Sequence, residues 1–234
     1  MTTSESVDLL LSREQTYLFL ARIFRDEPKA ALIVGLANTL SQENEGGDSA
    51  GYARLRRWAE GVSETTLPGI ERELATEYAR LLLNTGEIPC FYPCESVYTS
   101  SECMMKQEAY SQVLAIYREE GLARVESMGE PEDHVSVEME FMAHLCSRAR
   151  SALTSRRGEL YRAYLEKQRQ FLDRHLLPWV PRFAQNLRGV AQDDFYLAVA
   201  EITDEFLRDE PANLDDLTDA SEALEPPHGG GSLD

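Results

Sequence analysis

Apolar side chains recur along almost the whole chain at the spacing of a helix. In the first segment Val7, Leu10, Leu11, Tyr17, Leu20, Ala21 and Phe24 fall three, four or seven residues apart, which sets them on one helical face, and Asp26 to Pro28 close the run. Two further helices are predicted over 29–40 and 52–60. Between them SQENEGGDSAG has the Gly, Ser, Asn and Asp content of a loop. Leu74, Tyr78, Leu81 and Leu82 share a face and predict a helix over 70–83. The period then lapses through TGEIPCFYPCESVYTSS, residues 85–101. Pro89 and Pro93 bracket Cys90, Phe91 and Tyr92, so the chain there is held extended. A long aromatic loop inside a compact domain is often functional. Helical spacing resumes over 102–120, stopping at Gly121, and then over 131–153, 158–175, 179–187 and 193–208. Strand signals are nearly absent. The pattern predicts an all-α fold: a single-domain helical bundle over 1–209 with a long proline-containing loop. Residues 210–234, EPANLDDLTDASEALEPPHGGGSLD, are acidic and lack a sustained apolar face, so a flexible, disordered tail is expected.

Composition narrows the function classes. Acids outnumber bases 41 to 23, for a formal charge of −18, and phosphate-backbone binding relies on Lys and Arg releasing counterions. Nucleic acid is therefore an unsuitable partner and a basic one suits better. No apolar run approaches the roughly 20 residues a membrane span requires, and MTTSESVDLL lacks the basic flank of a secretory signal. A cytoplasmic protein without stable membrane insertion is expected. Four cysteines in 234 residues do not make the framework of a small disulfide-rich domain, so reduced thiols are expected.

The most informative stretch is EPEDHVSVEMEFM, 130–142. Pro131 suits a first helical turn, and Glu132 and Asp133 complement the positive end of the helix dipole. His134 precedes Glu138 by one turn, with Met142 one turn further on. This reads either as a helix cap with an i,i+4 pair or as a polar site at the edge of a core. A metal held by His134, Glu138 and His144 is disfavoured, because neither HExxH nor a paired ExxH occurs. Cys90, Cys94 and Cys103 offer three local thiols, and a tetrahedral zinc would need Cys146 from another helix. No cofactor is expected. GxxxxGK[ST], GxGxxG and GxSxG are all missing, and no Ser or Cys has a His at a recognised spacing, so no catalytic residue is assigned.

Several stretches, in order, resemble the TorD/DmsD family of redox-enzyme maturation chaperones: REQTYLFLARIFRDEP, YARLLLNTGEIPCFYPCESVYTS, EPEDHVSVEMEFM and FLDRHLLPWVPRFA, together spanning about 13–184. The resemblance implies stacked helices and a cytoplasmic, non-enzymatic chaperone. Its partners would be the precursor of a molybdoenzyme catalytic subunit and its twin-arginine signal peptide, bound before cofactor insertion and export. Carried over by position, the peptide surface would comprise Tyr78, Leu81 and Leu82, then Pro93, Glu95, Ser96 and Tyr98, completed by Pro131, Asp133 and His134. Some relatives have tryptophans where Cys94 and Tyr98 stand, which bears on peptide specificity. Relatives include monomers and domain-swapped dimers, so a homodimer stays open. The residues agree with such a role. Two arginines followed by an apolar stretch call for carboxylates beside a hydrophobic groove, which Glu95, Asp133 and Glu138 could supply together with Tyr78, Leu81, Leu82, Phe91, Tyr92 and Tyr98. The alternatives are a metal-dependent or hydrolytic helical enzyme using His134, and a helical adaptor for a folded partner.

Overall fold

A capping box opens the first helix: the Thr2 hydroxyl accepts from Glu5 N while the Glu5 carboxylate accepts from Thr2 N. The computed structural model describes residues 1–42, 49–83, 91–122 and 129–223. Its helices are α1 Thr3–Arg25, α2 Ala30–Gln42, α3 Ala50–Glu60, α4 Leu67–Tyr78, α5 Glu95–Thr99, α6 Glu108–Glu119, α7 Val135–Thr154, α8 Gly158–Phe171, α9 Val180–Val190 and α10 Asp194–Ala223. Helices α4 and α8 each continue into a π-helical turn, Ala79–Leu83 and Leu172–Leu176. Among the described residues the one β-pairing is a single antiparallel bridge between Cys94 and His134. The all-α expectation therefore holds.

Helix α7 forms the centre, packed along α1 on one side and α8 on the other. Met139, Met142, Leu145, Cys146 and Ala149 are completely buried on it, consistent with a helix enclosed by neighbours. Arg25 pairs with Glu140 and Arg150 with Glu14, so α1 and α7 run antiparallel. Helix α10 lies across α3, α8 and α9. Its approach to α3 depends on Gly51, where an added Cβ would fall 2.6 Å from the Ile202 backbone nitrogen.

Four local expectations are corrected. Helix α6 starts at Glu108 because Cys103 and Lys106 take left-handed φ angles of 51° and 58°, which a helix does not admit. The short α5 forms inside the non-periodic stretch 85–101, expected to be non-helical, and starts two residues after Pro93. Cys103 is disulfide-bonded, against the expectation of reduced thiols, whereas Cys94 and Cys146 are free and buried. Finally, α10 runs on through Pro211 to Ala223 and buries Leu214, Leu217 and Ala220, so 210–223 are not a tail. Residues 224–234 lie outside the described part, as do Cys90 and 43–48 of the Gly-rich loop.

The reason α10 continues is found within the core. Arg13 donates through Nε and Nη2 to the two oxygens of Glu210, both at 2.7 Å, and through Nη1 to Gln168 Oε1 at 2.7 Å. The Tyr17 hydroxyl donates to the same Glu210. Arg13 and Glu210 are almost wholly buried, so each charge depends on the other. Among the described helices none is long and apolar enough to cross a membrane.

Candidate functional site

Pro93 prevents the segment before α5 from being helical, and the freed backbone pairs with the chain entering α7. Val135 N donates to Pro93 O at 2.9 Å, and Glu95 N donates to Asp133 O at 2.8 Å. Cys94 is the N-cap of α5 and its side chain makes no cap bond, so the first amides of the helix need an acceptor from elsewhere. Asp133 provides it, taking the Ser96 N–H on Oδ2 at 3.0 Å. His134 is the N-cap of α7, with Nδ1 accepting from Ser136 N at 3.2 Å. That bond requires an unprotonated Nδ1, which puts the ring proton on Nε2, 3.6 Å from Glu130 Oε2. Burial, together with the Arg25 charge, lowers the His134 pKa to about 3. A neutral imidazole is what the cap demands.

A second polar layer lies beneath. Trp179 Nε1 donates to Glu138 Oε2 at 3.1 Å, and His175 Nδ1 sits 3.0 Å from Glu95 Oε2. Burial is the main cause pushing the Glu138 pKa well above the usual carboxylate range, reinforced by Glu95 and Asp133. Glu138 Oε1 has no hydrogen-bond partner among the described residues, and the nearby Glu95 and Asp133 carboxyls favour its protonated form. Four side chains from α5, α7, the π-helical turn after α8 and the start of α9 thereby form two carboxyl-centred pairs.

The structure thus brings together Pro93, Glu95, Ser96, Pro131, Asp133, His134 and Glu138, but encloses them: Asp133 and Glu138 have no exposed surface and Glu95 and His134 have 3%. They do not line an open groove. Asp133 and His134 cap helix starts, and Glu95 and Glu138 hold buried His175 and Trp179. Tyr98 packs on Trp179 and Phe183 beneath the Arg182 guanidinium. Leu81 and Leu82 are core residues of the turn after α4, and the Tyr78 hydroxyl donates to Arg25 O at 2.5 Å. What remains accessible is the edge. Tyr92 and Glu130 are half-buried and meet through the Tyr92 hydroxyl. Met104 and Met105 are exposed on the segment that follows α5, held against it by the Gln107 N to Ser96 Oγ bond of 3.0 Å. Sequence reasoning passes over Glu130, Met104 and Met105 as site residues, and over His175 as a buried partner. Glu130 is legible as the first residue of EPEDH. Nothing in the spacing marks the methionines. Among the described residues no group of three His, Cys, Asp or Glu is placed to hold a metal.

Both halves of this node fall inside residues 45–185, which match the family model described as nitrate reductase delta subunit. The chain belongs to the nitrate reductase delta subunit family. Within the family it is similar to the chaperone protein TorD of Photobacterium profundum, 30% identical over 130 residues that cover 56% of this chain and 57% of that one. It is 29% identical over 145 residues to the chaperone protein TorD of Vibrio cholerae, covering 62% of this chain and 64% of the relative. The chain thus spans about three fifths of the length of these curated relatives. Its fold is similar to that of a candidate redox enzyme maturation protein from Archaeoglobus fulgidus, with a TM-score of 0.54 at 19% identity over 84% of this chain and 93% of the other. The family and fold agree with the resemblance drawn from the sequence motifs.

Proposed function

We propose that the protein is a cytoplasmic, non-enzymatic chaperone for a molybdoenzyme precursor, engaging its twin-arginine signal peptide before cofactor insertion and export. The observation that carries this reading is the clamp between the segment around Pro93 and the start of α7: Asp133 and His134 fix the two against each other, with Glu130, Tyr92, Met104 and Met105 at their edge. In this reading the buried residues hold the platform and the edge meets the client. Glu130 receives a peptide arginine, since among the described residues it meets Tyr92 and neutral His134 and its charge is not paired with Lys or Arg. The flexible thioethers of Met104 and Met105 accommodate apolar side chains of varied shape.

Calorimetric titration with a synthetic twin-arginine signal peptide tests the proposal. Burial of about 400 Å² of apolar peptide surface contributes on the order of 10 kcal/mol, much of it consumed by ordering a flexible chain, so micromolar affinity is expected. Glu130→Gln should weaken binding about tenfold, or 1.4 kcal/mol, with an unchanged circular dichroism spectrum. Unchanged affinity in that variant removes Glu130 from the site. If no cognate peptide binds while a folded precursor does, the protein is an adaptor for folded partners.

A further inference from the structure

In a chain with 41 acids against 23 bases, the turn between α7 and α8 gathers three arginines around one cavity. Helix α7 ends with Arg156 N bonded to Leu153 O at 3.0 Å and Arg157 N to Ala152 O at 2.9 Å, and Arg156 takes a left-handed φ of 57°. This reversal makes Arg157 the N-cap of α8, where no side chain caps the helix. Arg162 follows one turn into α8. Arg156, Arg157 and Arg162 line a cavity of about 470 Å³ together with Gly158, Tyr161 and Ser221. No carboxylate appears among its described lining residues, and Glu159, the acid of the first turn of α8, is not one of them. Arg156 and Arg157 are exposed, and neither makes an ion pair among the described residues.

Adjacent unpaired guanidiniums repel one another, and the arrangement becomes favourable when an anion lies between them. A guanidinium presents a planar fork that matches two phosphate oxygens. The uncapped amides at the start of α8 add donors and a positive dipole end on the same side. The cavity is within the size range of small-molecule sites and larger than a bare phosphate needs, and buried Tyr161 and Leu153 give it an apolar wall. We propose that this cavity binds a small phosphate-bearing ligand, with Arg156 and Arg157 holding the phosphate. The 20 residues of α7 separate it from the client edge by about 30 Å, so the site is independent of signal-peptide binding.

The test is titration of the full chain with pyrophosphate at fixed ionic strength, followed by calorimetry and phosphorus NMR. Saturable binding is expected for the wild type and for Arg57→Gln, an exposed arginine of α3 whose loss makes an equal charge change at a different place. The double variant Arg156→Gln/Arg157→Gln should bind at least tenfold more weakly. Arg156→Gly provides a variant that keeps its fold, because glycine accepts the left-handed φ, and it too should lose affinity. The proposal is overturned if millimolar pyrophosphate shows no saturable binding to the wild type, or if the folded arginine variants bind as the wild type does.

Discussion

Asp133 and His134 are neighbours in sequence but serve different helices, the first capping α5 from across the bridge and the second capping its own α7. Below them Glu138 and His134 respond to pH in opposite directions. His134, with its pKa lowered to about 3 by burial and by Arg25, stays neutral where the unfolded chain's histidine protonates. Its contribution is complete above about pH 6.5 and is lost on acidification toward 3. Glu138, raised by burial, keeps its proton where the unfolded glutamic acid ionises, so its contribution is present at acid pH and is lost as pH rises past about 4.5. Glu138→Gln imitates the protonated acid: it can still accept from Trp179, and it has no ionisation to suppress. Stability from urea unfolding should therefore match the wild type near pH 4, below the unfolded pKa of about 4.5. It should exceed the wild type increasingly toward pH 8, by up to about 1.4 kcal/mol per pH unit. The acid limb, set by His134, should persist. Parallel stability curves for the two proteins would mean that Glu138 is not held protonated in the fold.

At the scale of elements, α10 is where sequence and structure diverge most, and the divergence is physical. A proline usually ends a helix because it lacks the amide proton and clashes with the preceding turn, at roughly 3 kcal/mol; Pro211 sits inside α10 nevertheless. Leu207, Glu210, Leu214 and Leu217 are buried on one stripe, and Glu210 neutralises buried Arg13. Removing one member of a buried pair costs about 3–5 kcal/mol, and exposing each leucine about 2 kcal/mol more. Truncation after Arg208 should thus remove most of a stability that is typically about 5–15 kcal/mol, giving an aggregated product or one without a cooperative thermal transition. Truncation after Ala223 is the matched comparison. A melting temperature unchanged by truncation after Arg208 would show that the Arg13 pair and the leucine stripe do not support the core. The helices with a clear apolar face, α1, α3, α4, α8 and α9, are legible to within a few residues from spacing alone. The extension of α10 is not, since its acids and a proline conceal an apolar stripe whose value depends on Arg13, 197 residues away from Glu210. The candidate site is half legible. Its motifs identify which segments meet, but whether Asp133 points outward or caps α5 depends on the Cys94–His134 bridge, which no periodicity encodes.

For the molecule as a whole, a charge of −18 creates a field that extends beyond any single carboxylate. Attraction of a cationic peptide then has two sources with different kinetic signatures. Contacts at Glu130 act after docking and are felt in dissociation, whereas the summed field acts during approach and is felt in association. The Debye length falls from about 30 Å at 0.01 M salt to about 10 Å at 0.1 M, so only the second source is removed by modest salt. Stopped-flow measurements with a twin-arginine peptide should show kon falling tenfold or more between about 0.01 and 0.2 M NaCl, with koff changing by less than about twofold. A charge variant separates the two sources further. Because α1 runs antiparallel to α7, exposed Asp8 lies toward the end of α7 that leads into α8, where Glu159 is also exposed. Asp8→Lys with Glu159→Lys changes the charge by +2 at each position, from −18 to −14, without touching the client edge. At low salt this variant should associate more slowly and dissociate at the wild-type rate. If the salt dependence appears in koff instead, or if the remote variant associates as fast as the wild type, attraction is local to the edge and the acidity of the remaining surface plays no part in capturing the client.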